Sequence, residues 1–155
     1  MKDILIALLL SLSPVSELRG GIPYALAKGI SLPLTIFSCI IANILIIFFI
    51  FFFLDFLHER FLRLRAYKKL SIFTLEKMRK RSKKVEKNIG LYGFPALTIF
   101  VCIPLPITGA WTGSIIAWLL NLERKKSIAA ISVGVVIAGI IVTLISLGII
   151  TMIKL

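Results

Sequence analysis

The chain has 155 residues, is 59% hydrophobic, and carries a formal net charge of +12 at pH 7 with a mean hydropathy of +1.02. An ordinary soluble domain is roughly 45–50% apolar, so the composition excludes a soluble fold and predicts one integral membrane domain over residues 1–155. Twelve Lys and Arg lie between Arg60 and Lys87 against two acids, Glu76 and Glu86; without a reader motif, and tethered between membrane segments, this run predicts a cytoplasmic loop and no nucleic-acid partner.

The first segment, 1–32, is apolar from Ile4 to Leu12, breaks at Pro14, Glu17, Arg19, Gly20, Gly21 and Pro23, and turns apolar again from Ile22 to Ile30. Its start superficially resembles a signal peptide, but the first residues are nearly neutral and no small-x-small cleavage site follows, so the segment is expected to be retained. Residues 33–56 form the clearest span. Its apolar part, Pro33 to Leu54, is about 22 residues, enough at 1.5 Å each to cross a core of roughly 30 Å. Only Asn43 needs a polar partner within it, and the run Phe48, Phe49, Phe51, Phe52 and Phe53 is expected to face lipid. Asp55, His58 and Glu59 mark the interface.

Residues 57–88 are expected to form one broken or two short amphipathic helices jointed near Ser71–Thr74. Leu57, Phe61 and Leu64 share one face, and Leu75, Met78 and Val85 continue it. Such helices lie on a membrane surface, and the basic loop at 60–87 would meet anionic lipid headgroups there.

Residues 89–122 repeat the interrupted pattern: apolar from Leu91 to Ile103, then Pro104, Pro106, Thr108 and Gly109, then apolar again to Leu120. A single crossing would place Arg124-Lys125-Lys126 outside, against the positive-inside tendency, whereas a re-entrant hairpin keeps both basic flanks cytoplasmic. Residues 127–153 are the second clear span, with Ala129, Ala130, Gly134, Ala138 and Gly139 spaced for close helix packing. By the same logic 1–32 is a hairpin entering from the outer face. The predicted fold is therefore all-α and multi-pass. Two re-entrant broken-helix hairpins and two full transmembrane helices form an inverted repeat, joined by a basic cytoplasmic connector over 58–88.

The chemistry is concentrated at the two breaks. Irregular backbone at bilayer depth leaves peptide groups that lipid cannot satisfy, so it survives only inside protein or beside a watery cavity. Paired breaks in two halves point to a transporter's binding site. Glu17 and Arg19 are ionisable residues in an apolar setting, costing roughly 2.5–3.5 kcal/mol on insertion scales. They lie about 200° apart on a helix, so they pair only if Gly20, Gly21 and Pro23 make the backbone irregular. Arg19 suits a phosphate or carboxylate, and Glu17 can exchange a proton; the alternative is that they neutralise each other and pin the loop. At the second break, Pro104 and Pro106 precede a helix start for which Thr108 is the expected N-cap. The freed N–H groups over Thr108–Gly113 would form an anion site. Gly109 and Gly113 admit a neighbouring backbone, Thr112 joins the candidate lining, and Trp111 either lines a substrate path with it or anchors packing. Cys39 and Cys102 read as buried thiols, no metal-ligand spacing appears, no cofactor is expected, and no catalytic constellation suggests an enzyme.

Ser16-Glu17-Leu18-Arg19-Gly20-Gly21-Ile22-Pro23 and Pro104-Leu105-Pro106-Ile107-Thr108-Gly109-Ala110-Trp111-Thr112-Gly113 resemble the family of small multidrug export proteins over nearly the whole chain. That family looks like a distant relative of the DedA (VTT) membrane proteins. The resemblance implies two facing re-entrant hairpins, transport and, for DedA-type proteins, lipid cargo such as polyprenyl-phosphate carriers. Glu17 and Arg19 match the charged first tip. DedA proteins carry an arginine near the second hairpin, where this chain has Thr108 and Thr112, with Arg124 well beyond.

The leading expectation is a plasma-membrane transporter of an anionic lipid carrier, its headgroup held by Arg19 and the Thr108–Gly113 helix start while Glu17 exchanges a proton. The alternative is a proton-coupled exporter of amphipathic cations in which Glu17 binds cation and proton competitively. A non-transporting scaffold that works through its basic loop is the third. A homodimer would thicken so slender a bundle.

Overall fold

A computed structural model describes residues 2–61, 93–104 and 108–153, without the side chains of 57–61 and 153. The described residues are helical with short turns: α1 (Lys2–Leu12), α2 (Glu17–Ala27), α3 (Leu32–Phe61), α4 (Gly93–Cys102), α5 (Ala110–Leu119) and α6 (Arg124–Ile153). Two short helices followed by a 30-residue helix thus occur twice. Stretches of α3 and α6, Leu32–Phe56 and Arg124–Met152, are long and apolar enough to cross a membrane. The span expected over 33–56 therefore lies in α3, which runs on to Phe61 because no Gly or Pro interrupts Asp55–Arg60. The span expected from 127 begins at Arg124.

Proline ends the first helix of each half, since the residue before a proline is pushed out of the helical region. Ser13 N–H still reaches Leu9 O before Pro14, as Ile103 N–H reaches Ile99 O before Pro104. The second short helices end alike. Lys28, Gly29 and Ile30 N–H donate to Tyr24, Leu26 and Ala25; Leu120, Asn121 and Leu122 N–H donate to Ile116, Trp118 and Ala117. Donors and acceptors keep one constant offset along the chain. Both turns pass through a left-handed residue, Gly29 at φ +76° and Asn121 at φ +51°, a region open to glycine and tolerated by asparagine.

Packing follows the same exchange. α2 lies against α3 and also against α6; α5 lies against α6 and also against α3. Leu18, Ile22, Cys39, Ile47, Val101, Ala117, Ile131 and Val135 form the buried centre. Small residues set the close crossings. A Cβ on Gly134 would lie 2.9 Å from Thr98 O of α4, and one on Gly139 would lie 2.7 Å from Ile40 Cδ1 of α3. Ala130 and Ala138 are buried with them, but Ala129 is exposed.

Three sequence expectations need correction. Gly20, Gly21 and Pro23 are not an irregular tip but the interior of α2. The glycine at 21 instead admits α1, whose Ala7 O would lie 2.6 Å from a Cβ there. The irregular backbone is the shorter turn Ser13–Ser16. Thr108 is not the N-cap of α5: Gly109 holds that position, with no side-chain cap of its own. Phe51 does not join its neighbours in the exposed run; it is 4% exposed, whereas Phe48, Phe49, Phe52 and Phe53 are open. The connector expected over 57–88 lies, beyond the end of α3, outside the described residues.

Candidate functional site

Breaking a helix orphans up to four N–H groups at one end and four C=O groups at the other. Here side chains from the opposite half satisfy them. Glu17, at the start of α2, places Oε1 3.2 Å from Trp111 N–H in the first turn of α5, with Ala110 N–H beside it. Trp111 answers by donating its indole Nε1–H to Leu12 O, at the end of α1, over 3.0 Å. Arg19 donates to Thr108 O and, at 3.2 Å, to Thr108 Oγ1. Within the halves, Thr108 Oγ1 donates to Ile103 O at 2.7 Å and Ser16 Oγ to Leu10 O at 2.6 Å. Asn43 Nδ2, from α3, donates to Ser11 O at 2.6 Å.

Glu17 is thus the N-terminal cap of a helix in the other half of the chain. A carboxylate there meets both unpaired N–H groups and the positive end of the helix dipole. No ion-pair contact within 4.0 Å joins it to Arg19 among the described residues, but the two charges lie close enough to attract each other, so the carboxylate is shared between the α5 start and Arg19. Glu17 is 8% exposed and sits at φ +47°. A non-glycine residue held left-handed carries backbone strain of roughly 1–3 kcal/mol, and such strain gathers at functional sites. Gly109 is its complement: a Cβ at that position would overlap the Glu17 carboxylate.

These groups line a cavity of about 10 Å³ with Leu18, Asn43, Val101, Ala110, Val135, Ala138 and Val142. That is room for about one water molecule. Of the residues expected from sequence, Glu17, Arg19, Thr108 and Gly109 meet in the cavity, and Trp111 bonds across it. Gly20 abuts Ser16, and Gly113 abuts Val101 at 2.7 Å from a built Cβ; both serve helix contacts. Pro23 and Thr112 are half-buried outside the lining, Pro104 opens the second break, and Pro106 lies outside the described residues. Asn43 was the missed member. Its signal was visible, an amide alone in an apolar span.

A chain whose described residues are helical, with two helices long and apolar enough to cross a membrane and two broken segments that meet at a buried acid, belongs to the class of small membrane proteins. The family model described as "Putative small multi-drug export protein" matches residues 17–141, and the chain belongs to that family. Comparison with curated proteins and with solved structures gives no match.

Proposed function

We propose that this protein exports small amphipathic organic cations in exchange for protons, with Glu17 as the exchanging group. The observation that carries this reading is the buried Glu17 carboxylate capping α5 from the other half. Its bond to the α5 N-terminus is charge-assisted, and such bonds are roughly twice as strong as neutral ones. A proton arriving on Glu17 removes the charge and loosens the junction between α2 and α5. A cation binding the carboxylate competes both with that proton and with the α5 N–H groups. The family description favours export over lipid-carrier movement. So does the occupancy of the helix start that an anionic headgroup would need, since Glu17 already lies there.

The proposed architecture is an inverted repeat of two re-entrant hairpins and two spans. The matched turns and the exchanged packing of α2 and α5 support it. The basic loop faces the cytoplasm of a plasma membrane and attracts anionic headgroups.

The test is ethidium movement into proteoliposomes under an imposed pH gradient, beside movement of a fluorescent polyprenyl phosphate. Wild type is expected to move ethidium; Glu17→Gln is expected to lose at least tenfold of that rate, and Arg19→Ala to retain it. Polyprenyl-phosphate movement without ethidium movement, abolished by Arg19→Ala, would replace this reading with the lipid-carrier one.

A further inference from the structure

A second polar cluster lies away from the Glu17 cavity, where the end of the α3 span meets the α5–α6 turn. Asp55 Oδ1 accepts the Trp118 indole N–H at 3.0 Å, and Asp55 Oδ2 accepts from the Arg124 guanidinium. The same guanidinium lies over the Phe51 ring, 5.4 Å from its centroid. These side chains, with Asn121, Leu122 and Glu123, line a space of about 390 Å³. The space is an open groove on the surface rather than an enclosed pocket. Glu123 is paired with Lys126 at 2.5 Å, which leaves Asp55 as the acid facing the aromatic floor.

An aromatic face with a carboxylate beside it is the arrangement that recognises organic cations. Here it already holds one, the arginine of its own chain. That arginine is held by three contacts, the Asp55 pair, the Phe51 ring and a long 3.5 Å bond to Phe51 O, all at a partly exposed position. Arg124 opens α6, and Lys125 and Lys126 follow it, so three cations lie at the positive end of the helix, with Glu123 just before it engaged by Lys126. The side chains of Arg124 and Asp55 are 52% and 42% exposed, and exposed ion pairs contribute little. The matching positions of the first half, Leu26 for Trp118 and Leu32 for Arg124, carry none of this chemistry. The cluster is therefore not required by the turn itself.

We propose that Phe51, Asp55 and Trp118 form an uptake site for aromatic organic cations, occupied in the resting protein by Arg124. The site rests on the exporter reading for its purpose, and on the basic loop for its cytoplasmic placement; its binding chemistry is independent of both. An arriving cation lies on the Phe51 ring against Asp55, and Arg124 swings out to solvent. No bond is made or broken beyond the exchanged ion pair.

The full chain has two tryptophans, Trp111 and Trp118, so ethidium titrated into protein in nanodiscs can be followed by their quenching. Saturable quenching is expected in wild type, and Trp118→Phe removes the component assigned here. Arg124→Gln is expected to tighten that component about tenfold by vacating the site, and Asp55→Asn to weaken it at least tenfold. Thermal unfolding of each variant identifies any that fails to fold, and Arg124→Gln, which removes a half-exposed group and its contacts with Asp55 and Phe51, is read only in protein that unfolds cooperatively. No Trp118 quenching in Arg124→Gln, or undiminished affinity in folded Asp55→Asn, overturns the site. Trp118 quenching without ethidium transport would overturn the exporter reading and leave this site standing; transport without it would do the reverse.

Discussion

Where α2 begins, Glu17 carries a carboxylate and a left-handed backbone; at the matching start of α5, Gly109 carries no side chain, and the space its Cβ would take holds that carboxylate. Around these two positions the halves agree in helix order, in the proline that ends each first helix, and in the turn hydrogen bonds. The agreement explains why two broken helix starts face each other. The difference explains how they are served. Two acids at the paired positions would bring like charges together, and one would have to stay protonated. One acid and one glycine instead give a single titratable group a helix start to cap, and make the junction sensitive to one proton.

The comparison breaks most completely at Gly109. Gly109→Ala places a methyl group where the Glu17 carboxylate lies, so the acid must leave the α5 N–H groups. Ethidium transport is expected to fall at least tenfold, and loss of the helix cap to cost about 1 kcal/mol in detergent unfolding. Transport at the wild-type rate would show that the junction is not the site. A sharper form moves the acid across the halves. Glu17→Gly alone should abolish transport, whereas Glu17→Gly combined with Gly109→Glu should recover it to within about tenfold, since a carboxylate placed from the extended backbone at 109 can reach the α2 start that faces it. A double variant no better than Glu17→Gly would mean that the matched backbones are not functionally equivalent.

The fold was legible in the sequence to the extent that proline and hydropathy write it. Pro14 and Pro104 break helices by sterics alone, and the spans need only length and apolarity. Glu17, Arg19, Thr108 and Gly109 were legible as a group because charge and glycine at bilayer depth demand a reason. Their roles were not. The sequence reading gave Gly20-Gly21 the task of irregularity, but glycine serves close helix packing equally well, and only the position of Ala7 O decides between the two. The α5 start was recognisable as an anion site, but nothing local to Thr108–Gly113 says that its anion is an acid some ninety residues earlier. The Asp55–Trp118–Arg124 cluster was hidden for the same reason, since its members are far apart in sequence: Asp55 reads alone as an interface marker, Arg124 as part of a topogenic basic triplet, and Trp118 as one more apolar residue of its segment.

A smaller effect is expected where the long helices differ. Gly134 of α6 matches Ala42 of α3 in the repeat, and Ala42 already fits its Cβ at 8% exposure. A Cβ at Gly134 would stand 2.8 Å from Val101 Cβ and 2.9 Å from Thr98 O, a backbone atom. Gly134→Ala should therefore destabilise the protein by about 1–3 kcal/mol through overpacking, read as a lower unfolding temperature, while Ala42→Gly should cost about 1 kcal/mol or less through helix propensity. Equal effects at the two positions would remove the asymmetry between the α4–α6 and first-half crossings.

The smallest change concerns Asn43, whose counterpart in α6 is Val135. Both line the Glu17 cavity, but only Asn43 reaches an orphan carbonyl, Ser11 O at the end of α1. Asn43→Val makes the two long helices alike at this level and leaves that carbonyl without its amide. Hydrogen bonds between membrane helices average about 0.6 kcal/mol and reach roughly 1.7, so stability should fall within that range. The effect on transport should be larger than on stability if the amide also holds the water-sized space beside Glu17, because a dry cavity gives an arriving proton no relay. A loss of rate with little loss of stability would place Asn43 in the proton path; equal small losses in both would confine it to holding α1.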